Sequence, residues 1–599
     1  MSAEIGPSPE TGPAGSGGTR PASTGPDPTG PDPAADGPLD ALTRRLAARA
    51  ARGRPAREAL ARLAEGEASL DDLVDASALP RRSVEELLAD AGPDVVTTER
   101  GFRLAPGRAA AYRERFDLAG LAATALPDPL AARLADAGET LAWLTAAVEA
   151  APAPDRDLDH VAATPLTVLR RALWLDSTFD LAGARVLCLG DHDLTSLALA
   201  RVSPAVEITV VDVDERILDH IAARAGAAGP RVRCLFGDLR QLLPPSAAEW
   251  ADLVVTDPPY TPEGVGLFLS QALRALRDRD GGRIIMAYGF SERQPTLGLK
   301  TQEAVSRLGL AYEAILPNFN RYRGARAIGA ASDLYVCAPT SRSWTALSRL
   351  GPGGSAIYTH GARSVEARPP VLEQTAARVA PDIAAAGGSG VSVLVGDGWP
   401  ATGPEVTRLG LATLLARGLP VTDGAPAPVV AVNLSADTGP WLARVLLAVN
   451  ASRLAVLVPN NHPDLTDAAG LARLRRVSAG KYRLSIRRAT PDGRHAVVAA
   501  DAVPTSELSP SDLLVRRLLD RAHGKIGNVW RDALVRAARD AGPAAGRALT
   551  KKSARAIVRD RLPADWLGEV SAVELPFTRL SEVLTAVAAS VADLEVPVP

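Results

Sequence analysis

Cysteine is scarce in this 599-residue chain: only Cys188, Cys234 and Cys337 are present, far apart and within apolar runs. That spacing gives no disulfide framework and no paired-cysteine metal or redox motif, so the three read as small core residues of strands and no metal site is expected. With neither a disulfide framework nor a secretory signal segment, the expected compartment is the cytoplasm. A dominant charge is missing as well. Sixty-seven Lys and Arg against 69 Asp and Glu leave a formal net charge of −2, which gives no global reason to expect nucleic acid or an anionic membrane as partner. No run approaches the roughly 18 consecutive apolar residues of a membrane span. What remains, with 46% hydrophobic and 23% charged residues, is a globular composition long enough for several domains.

The expected architecture is multidomain α/β. Residues 1–38 are rich in Pro, Gly, Ser, Thr and Asp without an apolar period, the composition of a disordered tail. Residues 39–116 read as short amphipathic helices followed by a hairpin over Val95–Leu104 turning at Gly101, the element order of a winged helix. Ser69–Asp72 and Ser83–Glu86 have capping-box form, each opening a helix. The second of these helices would enter a DNA groove, yet it carries Glu85, Glu86 and Asp90, which would face phosphates. Docking or dimerisation is therefore expected of this part, and no nucleic-acid partner.

Residues 117–182 form a helical connector, and Thr164 and Thr167 either cap a helix or line a ligand entrance. Over residues 183–345, apolar runs alternate with helical patterns. Such alternation predicts a methyltransferase-like, doubly wound Rossmann sheet, with a terminal antiparallel strand where the last two runs lack an intervening helix. Residues 355–505 read as a second α/β unit and 506–599 as a helical region that is basic over 516–560. A turn at Gly396–Trp399 echoes a binding loop, but no chemistry is assigned to this half.

The chemistry-bearing residues lie at strand ends in the Rossmann-like part. Strand Val186–Leu189 breaks at Gly190 into a loop with two carboxylates, Asp191 and Asp193, where a dinucleotide or methyltransferase loop would carry several glycines. A cationic ligand is expected above them. Asp212, ending the second strand, is placed to accept from two ribose hydroxyls, and Asp238, ending the third, to meet an adenine amino group. Asp257–Pro–Pro–Tyr260 ends the fourth strand. Its prolines stiffen the turn, Asp257 can hold an attacking amine, and Tyr260 offers an aromatic face to a cation or flat base. Glu263 adds a further carboxylate for the substrate. Acids spaced in this way favour a sulfonium donor without a carboxylate and an acceptor made of ammonium groups; one unit-charge pair at about 4 Å is worth roughly 4 kcal/mol at an effective dielectric near 20.

Gly190–Ser196, Asp257–Gly264 and Gly266–Ser270 resemble the branched-chain polyamine synthases, or N4-bis(aminopropyl)spermidine synthases, a likeness covering about residues 40–345. The resemblance implies aminopropyl transfer from decarboxylated S-adenosylmethionine, a co-substrate rather than a prosthetic group, to the secondary amine of spermidine. It also implies a winged-helix-like domain before a Rossmann domain, and homodimers. One position departs from the family loop: the middle of three acids is His192. If that acid accepts the proton, neutral His192 replaces it or the reaction is altered. Two alternatives stand beside this reading: an S-adenosylmethionine-dependent amino-group methyltransferase acting on a nucleic acid, and a non-catalytic polyamine-sensing regulator.

Overall fold

The computed structural model describes residues 37–228, 232–290, 294–323, 331–350, 356–359, 390–399, 405–419, 427–435, 441–540 and 549–594. Nearly all of the expected tail therefore lies outside the described residues. Helices Pro38–Arg49, Arg54–Glu65, Leu70–Ser77 and Arg81–Ala91 precede an antiparallel hairpin of β1 (Val95–Thr98) and β2 (Gly101–Leu104). Leu60, Leu73, Leu87 and Tyr112 share one apolar cluster beneath them. Ser69 and Asp72 close the expected reciprocal cap. The second expected box does not form: Pro80 starts that helix earlier, which leaves Ser83 inside it and buried. The acids of this helix are neutralised locally, Glu85 by Arg81, and Glu86 and Asp90 by Arg45.

Among the described residues the central sheet has seven strands: β3 (Arg185–Leu189), β4 (Glu207–Asp212), β5 (Val232–Phe236), β6 (Leu253–Thr256), β7 (Arg283–Tyr288), β8 (Ala311–Arg321) and β9 (Ala331–Ala338). Their spatial order is β5-β4-β3-β6-β7-β9-β8, parallel through β7, with β9 and β8 antiparallel. The inner strands are buried along almost their whole length, as continuous apolar runs in a helix-covered parallel sheet must be. Cys188, Cys234 and Cys337 are buried in β3, β5 and β9 as small core residues. Strand order reverses between β3 and β6, which opens a crevice at their carboxyl ends. β8 continues to Arg321, past the expected end at Leu316, and delivers Asn320 and Tyr322 to that crevice.

Among the described residues a second sheet has six strands, β10 (Val393–Val395), β11 (Thr407–Leu409), β12 (Val429–Asn433), β13 (Arg453–Pro459), β14 (Tyr482–Arg487) and β15 (His495–Ala502). Among the described residues its order, β11-β10-β12-β13-β15-β14, repeats that of the first sheet without a counterpart of β5. The likeness extends to backbone detail. Gly396 at the end of β10 has φ +85° and donates to Leu409 O at 3.0 Å, as Gly190 at the end of β3 has φ +68° and donates to Val211 O at 2.9 Å. In the second sheet, however, Asn433 Nδ2 donates across the crevice to Asp397 O at 2.7 Å, and Trp399 is buried against Val395 O. The helical run over Pro510–Asp540 is two helices, Pro510–Leu519 and Ile526–Asp540, separated by a turn holding Gly524. Arginines of this run pair with acids of the same run, Arg516 with Asp520 and Arg521 with Asp532. The two sheet units meet at Arg444, which lies between the rings of Phe236 and Phe577 and pairs with Glu215 at 2.8 Å.

Candidate active site

The loop after β3 puts its two acids to different uses. Gly190 takes a left-handed backbone that an L side chain resists. Asp191 then turns beneath the helix Thr195–Val202 and accepts from Thr195 N at 2.8 Å and Ser196 N at 3.1 Å. The first turn of a helix leaves N–H groups unpaired, and a short carboxylate just before it is well placed to take them. Asp191 does not line the crevice. The expectation that it meets a cationic tail is corrected: its oxygens cap a helix, and burial outweighs those donors and pushes its carboxyl up to about 7.

Asp193 does face the crevice, but with a partner. Its carboxylate accepts from Ala163 N at 3.0 Å and from Arg171 Nη1 at 2.6 Å. The other arm of Arg171, Nη2, reaches Asp257 at 2.8 Å, and its Nε donates to Asn320 at 2.7 Å. Tyr322 donates to Asp257 at 2.5 Å and accepts from Tyr260 at 3.2 Å. One buried guanidinium thus stands between two carboxylates from the ends of neighbouring strands, with two phenols beside it. Burial raises Asp193, but Arg171 overrides it and holds this carboxyl below its ordinary range. Burial, then the charge of Asp193, push Asp257 up to about 7.

Around this cluster lies a cavity of about 610 Å³, within the range of small-molecule sites. Gly190, His192, Asp193, Asp212, Asp238, Asp257 and Tyr260 all line it. Asp212 accepts from the backbone of Asp191 and Asp214, and burial pushes its carboxyl up to about 6. Both oxygens of Asp238 are engaged by the Nε of Arg240. Glu263 is exposed in the first turn of the helix Pro262–Ala275 and does not line the cavity, which corrects the substrate-binding role expected of it. A carboxylate there offsets the positive end of its own helix. His192 lies flat on His160, ring centroids 4.4 Å apart and 14° from parallel. Burial lowers the pKa of both rings.

The cavity is less negative than the acids alone imply. Its wall carries Asp159, Asp193, Asp212, Asp238 and Asp257, but also Arg156, Arg240 and Arg323, and Arg171 lies directly behind. Among the described residues one carboxylate is in excess.

Sequence reasoning missed Arg171, His160, Tyr322 and the short segment Ile357–Thr359. That segment roofs the cavity: Thr261 donates to Ile357 O at 2.6 Å, and Thr359 donates to Asp159 from its backbone at 2.7 Å and its hydroxyl at 2.6 Å. Arg171 had left a trace. It sits among the buried Val168, Ala172 and Leu175 of the helix Pro165–Thr178, where a charge needs a buried partner. Thr164 caps that helix, and Thr167 accepts from Arg321 N, so neither threonine lines the cavity.

Residues 139–348 match the model of the branched-chain polyamine synthase A C-terminal domain. Over this stretch the chain is similar to the branched-chain polyamine synthases. An N(4)-bis(aminopropyl)spermidine synthase of Thermococcus kodakarensis is 32% identical over 176 residues, 28% of this chain and 49% of that protein. An uncharacterised protein of Methanocaldococcus jannaschii is 39% identical over 178 residues, 30% of this chain and 44% of that protein. The chain thus spans less than half the length of these curated relatives. The crystal structure of a Thermus thermophilus branched-chain polyamine synthase mutein, in complex with N4-aminopropylspermidine and 5'-methylthioadenosine, is 20% identical. It covers 53% of this chain and 94% of its own, with a TM-score of 0.35. The roof segment Ile357–Thr359 lies beyond the family match, as does the whole second sheet.

Proposed function

We propose that this protein transfers an aminopropyl group from decarboxylated S-adenosylmethionine to an amine of a linear polyamine such as spermidine, giving a branched product. The observation that carries the reading is the cavity's row of strand-end carboxylates, Asp212, Asp238 and Asp257, with Tyr260 beside Asp257 and one carboxylate in excess of the arginines among the described residues. The match of residues 139–348 to the branched-chain polyamine synthase A C-terminal domain supports it. The nucleoside would lie over Gly190, Asp212 and Asp238. The acceptor nitrogen would sit at Asp257, whose turn prolines free neighbouring carbonyls from donors of their own. Attack on the carbon next to the sulfonium forms the N–C bond and breaks the C–S bond, whose electron pair leaves with sulfur as a thioether. Aligning nitrogen, carbon and sulfur within a roofed cavity supplies most of the acceleration.

One observation favours a second reading. The ion pair between Arg171 and Asp193 removes much of the repulsion that a donor carboxylate would meet, so S-adenosylmethionine itself and amino-group methylation fit the charge balance. Calorimetry with both donors, followed by mass analysis after incubation with spermidine, tests the choice. The expected result is tighter binding of the decarboxylated donor and product heavier by aminopropyl units. Equal or tighter binding of the carboxylated donor, with methylated product or none, refutes aminopropyl transfer.

A further inference from the structure

Each carboxylate at the heart of the cavity already has hydrogen-bond donors. Asp193 has Arg171 and Ala163 N, Asp257 has Arg171 and Tyr322, Asp238 has Arg240, and Asp212 has two backbone N–H groups. The stacked imidazoles contrast with them. The Nδ1 atoms of both His160 and His192 are buried without a hydrogen-bond partner among the described residues, although both rings line the cavity. Neither ring makes a hydrogen bond among the described residues, and a neutral imidazole keeps one nitrogen lone pair as an acceptor, so the pair brings to the cavity wall a base that no protein group occupies.

We propose that His160 and His192 act together as the proton acceptor for the incoming amine, with His160 a second catalytic residue. The proposal rests on the aminopropyl-transfer reading. The acceptor enters as an ammonium ion, whose nitrogen has no lone pair until it loses a proton. That proton passes to the imidazole pair, and the freed lone pair attacks the carbon next to the sulfonium. The N–C bond forms, the C–S bond breaks, and sulfur keeps its pair as a neutral thioether. Two imidazolium rings stacked 4.4 Å apart would repel, so the pair takes up one proton and not two. Asp155, Asp193 and Asp214 face His160 together with Arg216, and Asp193, Asp212 and Asp214 face His192. Those carboxylates stabilise the transient charge, while burial keeps the resting rings neutral.

The test separates this step from the parent reading. His160→Phe keeps a flat ring on His192 but cannot carry a proton. With decarboxylated S-adenosylmethionine and spermidine, it should lose about 100-fold in kcat while donor KM changes less than about threefold, and its acid limb in kcat/KM against pH should move. His160→Ala should lose as much and regain turnover with added imidazole. A His160→Phe protein with wild-type kcat and acid limb makes His160 a packing residue and overturns the proposal alone. A wild-type protein that adds no aminopropyl group to any linear polyamine overturns it together with the reading on which it rests.

Discussion

Arg171→Met removes the guanidinium between Asp193 and Asp257 while keeping much of its volume. The wild-type contacts are 2.6 and 2.8 Å long, and the arginine side chain is 4% exposed. Removing one partner of a buried ion pair costs about 3–5 kcal/mol, because the remaining charge is left without compensation. Here two carboxylates remain, and they also repel each other. At about 1.36 kcal/mol per pKa unit, the strain is relieved by taking up one proton between them over roughly two to four units. The variant should therefore melt on the order of 10 °C lower near neutral pH, with the deficit shrinking as pH falls towards 5. Adding Asp193→Asn removes one of the two stranded charges, so the double variant should recover more than half of the loss. Calorimetric melting of the four proteins in a double-mutant cycle reads this directly. Arg171→Met melting within about 1 °C of wild type, or a double variant showing the plain sum of two losses, would refute the shared-cation account.

Three further outcomes follow from the same geometry. Asp191→Asn keeps an acceptor for the helix N–H groups, so donor affinity should stay within about threefold, whereas Asp191→Ala should cost about 1 kcal/mol of stability; a tenfold loss of affinity in the Asn variant by titration calorimetry would return Asp191 to the binding site. Asp212 and Asp257, held at about 6 and 7, keep protons that ordinary carboxyls release near about 4. Their contribution to folding is present in full below that value and lost as pH rises through 6 to 7, and a cationic donor binding at pH 7 should release protons; calorimetry in buffers of different ionisation enthalpy would detect the opposite sign. Arg444→Leu removes the guanidinium from Glu215, which keeps only Phe577 N as a hydrogen-bond donor among the described residues, in the junction between the two sheets, and hydrogen exchange should quicken along the helix Glu215–Ala228; unchanged protection there would show that the junction does not depend on this pair.

Much of the architecture was legible along the chain. Buried parallel strands are apolar throughout and helices carry a 3.6-residue period, so β3 to β7 stand where local pattern puts them. Asp257–Pro–Pro–Tyr260 was legible too, because a proline-stiffened turn at a strand end is a local fact. The short β11 was not, since Thr407–Leu409 has only three residues and no period to detect. Nor was the electrostatic state of the pocket. By itself the sequence determined which carboxylates stand at strand ends. Only the tertiary structure decided what they face: Asp191 turned under its own helix, and Arg171, 86 residues before Asp257, arrived between that carboxylate and Asp193. The physical reason is range. Hydrophobic period and turn chemistry act between near neighbours in the chain, whereas the charge of a buried site is the sum over residues that only folding brings together.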